Sequence, residues 1–319
     1  MHYDKPQNPT AGNAPGGENE GISMDENIRH TVLPLLTALI WGTAFVAQSV
    51  CAVHVGPFTL NAARGLIAFS LLLLLCLVRR KKPAARPKDL ILGGLCCGTA
   101  LFAASYFQQL GIGTTSAGKT GFITALYIVI VPVAGIFFHQ KVSRRVWLAV
   151  AVAVAGMYFL CVTESFSVAP GDLYVLLCAV LFSAQILAVD HFTKSVDGFA
   201  LSCAQFLVMG LLSLTGAATE TGAAEGLRAC LWPMLYIAVF SSCVGYTLQI
   251  LAQKGGNPAV VSLLLSLESV FAVLGGAVLL RERLSGRELM GCVLMMGAIV
   301  LAELPDRKAA EAPQDGASV

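Results

Sequence analysis

Ten apolar stretches dominate this chain. They cover residues 32–52, 59–78, 89–110, 118–138, 146–163, 171–190, 199–218, 231–251, 258–280 and 286–303, with short polar breaks between them. Each is close to the ~20 residues that an α-helix needs to cross the hydrocarbon of a bilayer. Within lipid every backbone N–H and C=O must find a partner inside the protein, so spanning elements are helices or closed barrels. The polar inventory agrees. Of 319 residues, 56% are hydrophobic and 13% are charged, against about 25% charged in an average soluble domain. Too few polar residues remain to clothe a water-soluble core. The expected fold is all-α and integral to the membrane, with ten transmembrane helices.

The flanks differ in kind. Residues 1–28 are rich in Pro, Gly, Asn and Glu and cannot bury enough apolar surface to fold, so a disordered N-terminal tail is expected. The first apolar run starts too late for a signal peptide. Residues 305–319 form a polar C-terminal tail. With the N-terminus inside, the inner segments carry fourteen Lys and Arg and the outer loops carry four. That bias predicts a multi-pass protein of the cytoplasmic (inner) membrane with both termini cytoplasmic. A formal net charge of +2 gives no footing for a nucleic-acid partner.

The chain also repeats itself. "ALIWGTAFVAQ" from Ala38 aligns with "AVLFSAQILAV" from Ala179, and "GPFTLNAARGL" from Gly56 aligns with "DGFALSCAQFL" from Asp197. The offset of 141 residues divides the runs into two sets of five. An odd number of helices per unit forces the two units into opposite orientations. Inverted repeats of this kind build secondary transporters, with the site near the midplane between the halves.

One motif points elsewhere. "GTTSAGKT" at 113–120 satisfies G-x-x-x-x-G-K-[ST] through Gly113, Gly118, Lys119 and Thr120. A phosphate loop works by joining a strand to a helix, with its N–H groups converging at the helix N-terminus. Here it joins two apolar helices, and no strand run supplies an acid for Mg²⁺. The expected reading is a helix connection, with Thr114, Thr115 or Ser116 as cap and Lys119 snorkelling at the interface. The ten cysteines form no C-x-x-C pair and the five histidines are scattered, so no metal site, disulfide framework or cofactor is expected.

Ionisable groups deep in a span are costly and point to function. Glu268 lies eleven residues into the run 258–280 and is the only acid at mid-depth. It suits a cationic or amino group, or a proton. Arg64, six residues into its span, suits a substrate carboxylate. Gln108, Gln185, Gln205 and Gln249 are amides in apolar runs, and Trp41, Tyr127 and Tyr246 are aromatic groups that could share a cavity with them. Helix-to-helix hydrogen bonds would satisfy such amides without a ligand. Asp190, near His191 and Lys194, reads as interfacial. Gly94 and Gly98 read as helix packing.

Taken in order, "LIWGTAFVAQ", "GPFTLNAARGLIAF", "GKTGFITALYIVIVP" and "LSLESVFAVLGGAVLLRERLS" resemble the EamA-type proteins of the drug/metabolite transporter superfamily. The likeness runs from 32 to 304. It implies a first EamA repeat at 32–163, a second at 171–304, and export of small metabolites such as amino acids by alternating access, without ATP hydrolysis. A multidrug or cationic-compound efflux carrier is the alternative. A membrane-embedded enzyme or a receptor is disfavoured, because no clustered catalytic groups and no sizeable soluble domain are present. The expected partners are a small-molecule substrate, the lipid bilayer, protons as a coupling ion and a second copy in a homodimer. In the second unit, Phe182-Ser183 stands where the first has Trp41-Gly42, and Gln205 stands where it has Arg64.

Overall fold

The computed structural model describes residues 28–79, 86–114, 117–137, 142–161, 170–279 and 285–303. Both expected tails lie outside these residues, apart from Ile28. Among the described residues the regular structure is helical, with no strand. Eight stretches are long and apolar enough to cross a membrane: Arg29–Ala52, Pro57–Arg79, Pro87–Ile112, Lys119–Phe137, Pro170–Phe192, Gly198–Ala217, Leu231–Gln253 and Pro258–Gly275. Leu289–Ala302 is a shorter apolar helix. The run expected at 146–163 falls in the helix Arg144–Cys161.

After a π-helical turn at Ile28–Val32, the helices are α1 (Leu33–Ala52), α2 (Pro57–Arg79), α3 (Pro87–Ile112), α4 (Ala117–Thr124), α5 (Tyr127–Phe137), α6 (Arg144–Cys161) and α7 (Pro170–Phe192). Then come α8 (Gly198–Ala217), the short α9 (Ala223–Ala229), α10 (Leu231–Tyr236), a π-helical segment (Ile237–Gly245) and α11 (Tyr246–Gln253). The last are α12 (Pro258–Leu265), α13 (Glu268–Leu279) and α14 (Gly286–Glu303). Proline opens several helices, at Pro34, Pro87 and Pro258, where a missing N–H costs nothing. Asp197 and Asn257 cap α8 and α12, accepting from Phe199 and Ala200, and from Ala259. Glu220 caps α2 from the segment after α8, accepting from the Phe58 and Thr59 amides at 3.0 and 2.8 Å.

Three expected spans depart from straight helices. The runs 118–138 and 258–280 are each broken by a turn, at 125–126 and at 266–267. The backbone there tightens to i→i−3 bonds, as in Ile128 N to Ala125 O and Leu267 N to Leu264 O. In the second run Ser262, Ser266 and Ser269 each donate a hydroxyl to the carbonyl three residues back. Such bonds compete with the α-helical ladder. The run 231–251 widens into the π segment.

Helices meet where small residues let backbones approach, the common means of association in lipid. Gly65 faces Gly210 between α2 and α8, and Gly94 faces Ala204 between α3 and α8. Gly156 on α6 abuts Gly291 on α14. Gly42 lies against the first turns of α13: a Cβ there would come within 2.6 Å of the Glu268 carbonyl oxygen. Around these contacts α3 packs on α7 and α8, α2 on α8, and α1 on α13 and on the π segment. That leaves a space at the centre, walled by α1, α2, α3, α4, α5, α7, the π segment, α11 and α13.

Candidate functional site

The two broken runs bring their new helix starts together. Tyr127 is the first residue of α5 and Glu268 the first of α13, 141 residues apart. The Tyr127 hydroxyl donates to Glu268 Oε1 at 3.0 Å. Both residues are buried, at 2% and 3% exposed. A carboxylate in the first turn of a helix also sits at the positive end of its dipole.

Arg64 enters the same cavity from α2 at 2% exposed. Its Nη2 donates to Ser105 Oγ on α3 at 2.9 Å, and its Nε has no partner. Among the described residues, neither Arg64 nor Glu268 takes part in an ion pair. One cavity thus holds a guanidinium and a carboxyl group that, among the described residues, form no ion pair with each other or with any third charge. Burying such groups is costly unless something supplies the missing partner.

Aromatic and amide side chains complete the wall. Trp41 and Tyr246 lie 4.6 Å apart between ring centroids, and Phe182 lies behind Tyr246 at 6.5 Å. The Trp41 indole donates to the Ser241 carbonyl in the π segment at 3.1 Å. Single π-helical turns within α-helices are frequent at functional sites. Gln249 donates to Gln185 at 3.1 Å, and Gln185 donates to Gln205 at 3.3 Å. Gln249 Oε1 and Gln205 Nε2 are left without partners. Gln108 donates to Thr124 Oγ1 at 3.2 Å.

The cavity therefore gathers Trp41, Arg64, Gln108, Tyr127, Gln185, Tyr246, Gln249 and Glu268. Gln205 is fully buried behind Gln185 and does not line it. Sequence reasoning missed Gln48, Phe45, Thr124 and Ser241, which line the same space. Gln48 carried the same signal as Gln108, an amide in an apolar run. The space left is small, about 30 Å³, room for a water or two. A small apolar cluster of Phe45, Ile112 and Ala272, with Ala52 and Ala117 against it, lies toward the ends of α1 and α3. Toward the other end, Ile128 and Val131 of α5 join Leu263, Leu264 and Leu265 of α12 in the main apolar core.

The phosphate-loop string resolves differently from a nucleotide site. Thr114 Oγ1 donates back to Gly111 O and so closes α3 rather than capping α4. Positions 115–116 lie outside the described residues. Lys119 does not simply snorkel: its ammonium pairs with Asp172 at the start of α7, at 2.6 Å. Asp190 pairs with Lys194 at 3.2 Å, at the far end of α7. Gly98 packs against Val208 and the Gln205 carbonyl, as a packing residue should.

Comparison with known proteins comes to the same place. The EamA-like transporter family model matches residues 31–162 and again 169–304. An uncharacterized transporter of Archaeoglobus fulgidus is 29% identical over 270 residues, 84% of this chain and 84% of its own. The uncharacterized transporter YwfM of Bacillus subtilis is 28% identical over 91% of this chain and 99% of its own. A solved crystal structure, 19% identical, covers 86% of this chain and 96% of its own with a TM-score of 0.71, a likeness of fold.

Proposed function

Because this chain belongs to the EamA-like transporter family, we propose that it exports a small zwitterionic metabolite such as an amino acid by alternating access. That it is a multi-pass membrane transporter follows from the family. The finer reading rests on one observation: Arg64 and Glu268 are buried in one cavity, and among the described residues neither forms an ion pair. A substrate carboxylate completes Arg64, and a substrate ammonium or a proton completes Glu268. The amides and the Trp41–Tyr246 pair hold the rest of the molecule.

The proposed architecture is ten spans in two inverted five-helix units, 32–163 and 171–304. The two family matches and the paired turns at 125–126 and 266–267 support it. The proposed setting is the cytoplasmic membrane with both termini inside, which the distribution of Lys and Arg favours. A second reading, efflux of cationic compounds, has the carboxyl of Glu268 beside an aromatic wall in its favour.

Arg64→Gln separates the two readings in liposome counterflow with amino acids and cationic dyes as probes. Amino-acid counterflow is expected in the parent protein and to fall about tenfold or more in the variant, the scale of a lost charge-assisted hydrogen bond. Dye transport that survives Arg64→Gln, with no amino-acid transport in the parent, would instead establish the cationic reading.

A further inference from the structure

A second cavity lies on the opposite face of α7 from the first. Its volume is about 640 Å³, and it runs between α3, α5 and α7, within the range of pockets that hold small molecules. Along α7 and the turn after it, it reaches from Val180 to Lys194, about 20 Å at the rise of an α-helix. Its walls are apolar: Ile130 and Ala134 from α5, Ala184 and Leu187 from α7. The Ser183 hydroxyl is spent on the Ala179 carbonyl at 2.8 Å. These walls offer a polar metabolite nothing to bond.

Charge gathers at one end only. Asp190, His191 and Lys194 form that rim. Asp190 is 7% exposed and lies beneath Lys194, whose side chain is 69% exposed and reaches outward. Arg86 and Lys88, at the start of α3, and Arg144, at the start of α6, are exposed at the same end of the bundle. Within the rim Lys194 is matched by Asp190, so the excess of positive charge around the mouth comes from Arg86, Lys88 and Arg144, which outnumber Asp89 there among the described residues. A slot the length of an acyl chain, apolar inside and with that excess around its opening, has the profile of a lipid site. Basic pockets between membrane helices on the cytoplasmic side bind anionic headgroups.

We propose that this groove binds an anionic phospholipid, with an acyl chain against Ala134, Ala184 and Leu187 and the phosphate at His191 and Lys194. The proposal does not rest on the substrate reading, yet it bears on the central cavity. On α7, Phe182, Gln185 and Ile186 face that cavity, while Ser183, Ala184 and Leu187 face the groove. On α5, Tyr127 faces the cavity and Ile130 the groove. A bound chain therefore touches two helices that wall the transport site and sets their spacing.

The test is thermal unfolding of the purified full-length protein in neutral detergent, titrated separately with phosphatidylglycerol, phosphatidylcholine and soluble glycerol 3-phosphate. Phosphatidylglycerol is expected to raise the Tm by several degrees and the other two are not. Ala184→Trp, which fills the slot, and Lys194→Gln, which removes rim charge, are each expected to cut that rise by at least half. Ala134→Leu narrows the same slot with a smaller side chain and serves if the Trp variant does not fold. An equal rise with phosphatidylcholine would show a nonspecific detergent or lipid effect and overturn the proposal. A rise with glycerol 3-phosphate alone, or a phosphatidylglycerol rise that survives the slot and rim variants, overturns it as well.

Discussion

Glu268 carries a proton or an ammonium only if its carboxyl can ionise, and Glu268→Gln removes that ability while keeping the shape and the bond from Tyr127. We expect the variant to insert and fold, transport to drop about tenfold or more, and the pH dependence of the remainder to vanish. A variant that transports at the parent rate with the parent pH profile would make Glu268 a packing residue. At this scale the sequence was informative for a physical reason. A charge or an amide inside a twenty-residue apolar run is expensive, so Glu268, Arg64 and Gln185 stand out without any structure. Ser241 could not stand out in that way. Its contribution to Trp41 is a backbone carbonyl, and the identity of a side chain says nothing about what its own carbonyl will meet.

Elements were harder to read than residues. Hydropathy finds a run such as 258–280 but does not register the serine hydroxyls that bond back along the chain and tighten it at 266–267. The sequence "SLLLSLES" held that signal in the spacing of its serines. The start of α4 shows the opposite case, where a motif was legible and misleading. Lys119 at the helix start is tied to Asp172 on α7, a carboxylate only 7% exposed. Lys119→Ala should therefore cost the protein about 1–3 kcal/mol of stability, seen as a lower Tm. ATP hydrolysis should be absent in parent and variant alike. Saturable hydrolysis by the parent protein that is lost in Lys119→Ala would restore the phosphate-loop reading.

Along the sequence, fourteen Lys and Arg fall in the segments proposed to lie inside and four in those proposed to lie outside. The proposed orientation is open to reporter fusion. A reporter active only outside the cytoplasm should be silent at the C-terminus and active within 219–230, and the reverse pattern would remove the model of ten spans with both ends inside. Apolar side chains flank the central space, with Phe45, Ile112 and Ala272 in one cluster and Ile128 and Val131 with Leu263, Leu264 and Leu265 in another. The space itself measures about 30 Å³, room for a water or two. A metabolite larger than water must therefore part these walls before it can sit between Arg64 and Glu268. The breaks at 125–126 and 266–267 lie where two of those walls begin, so each can serve as a joint.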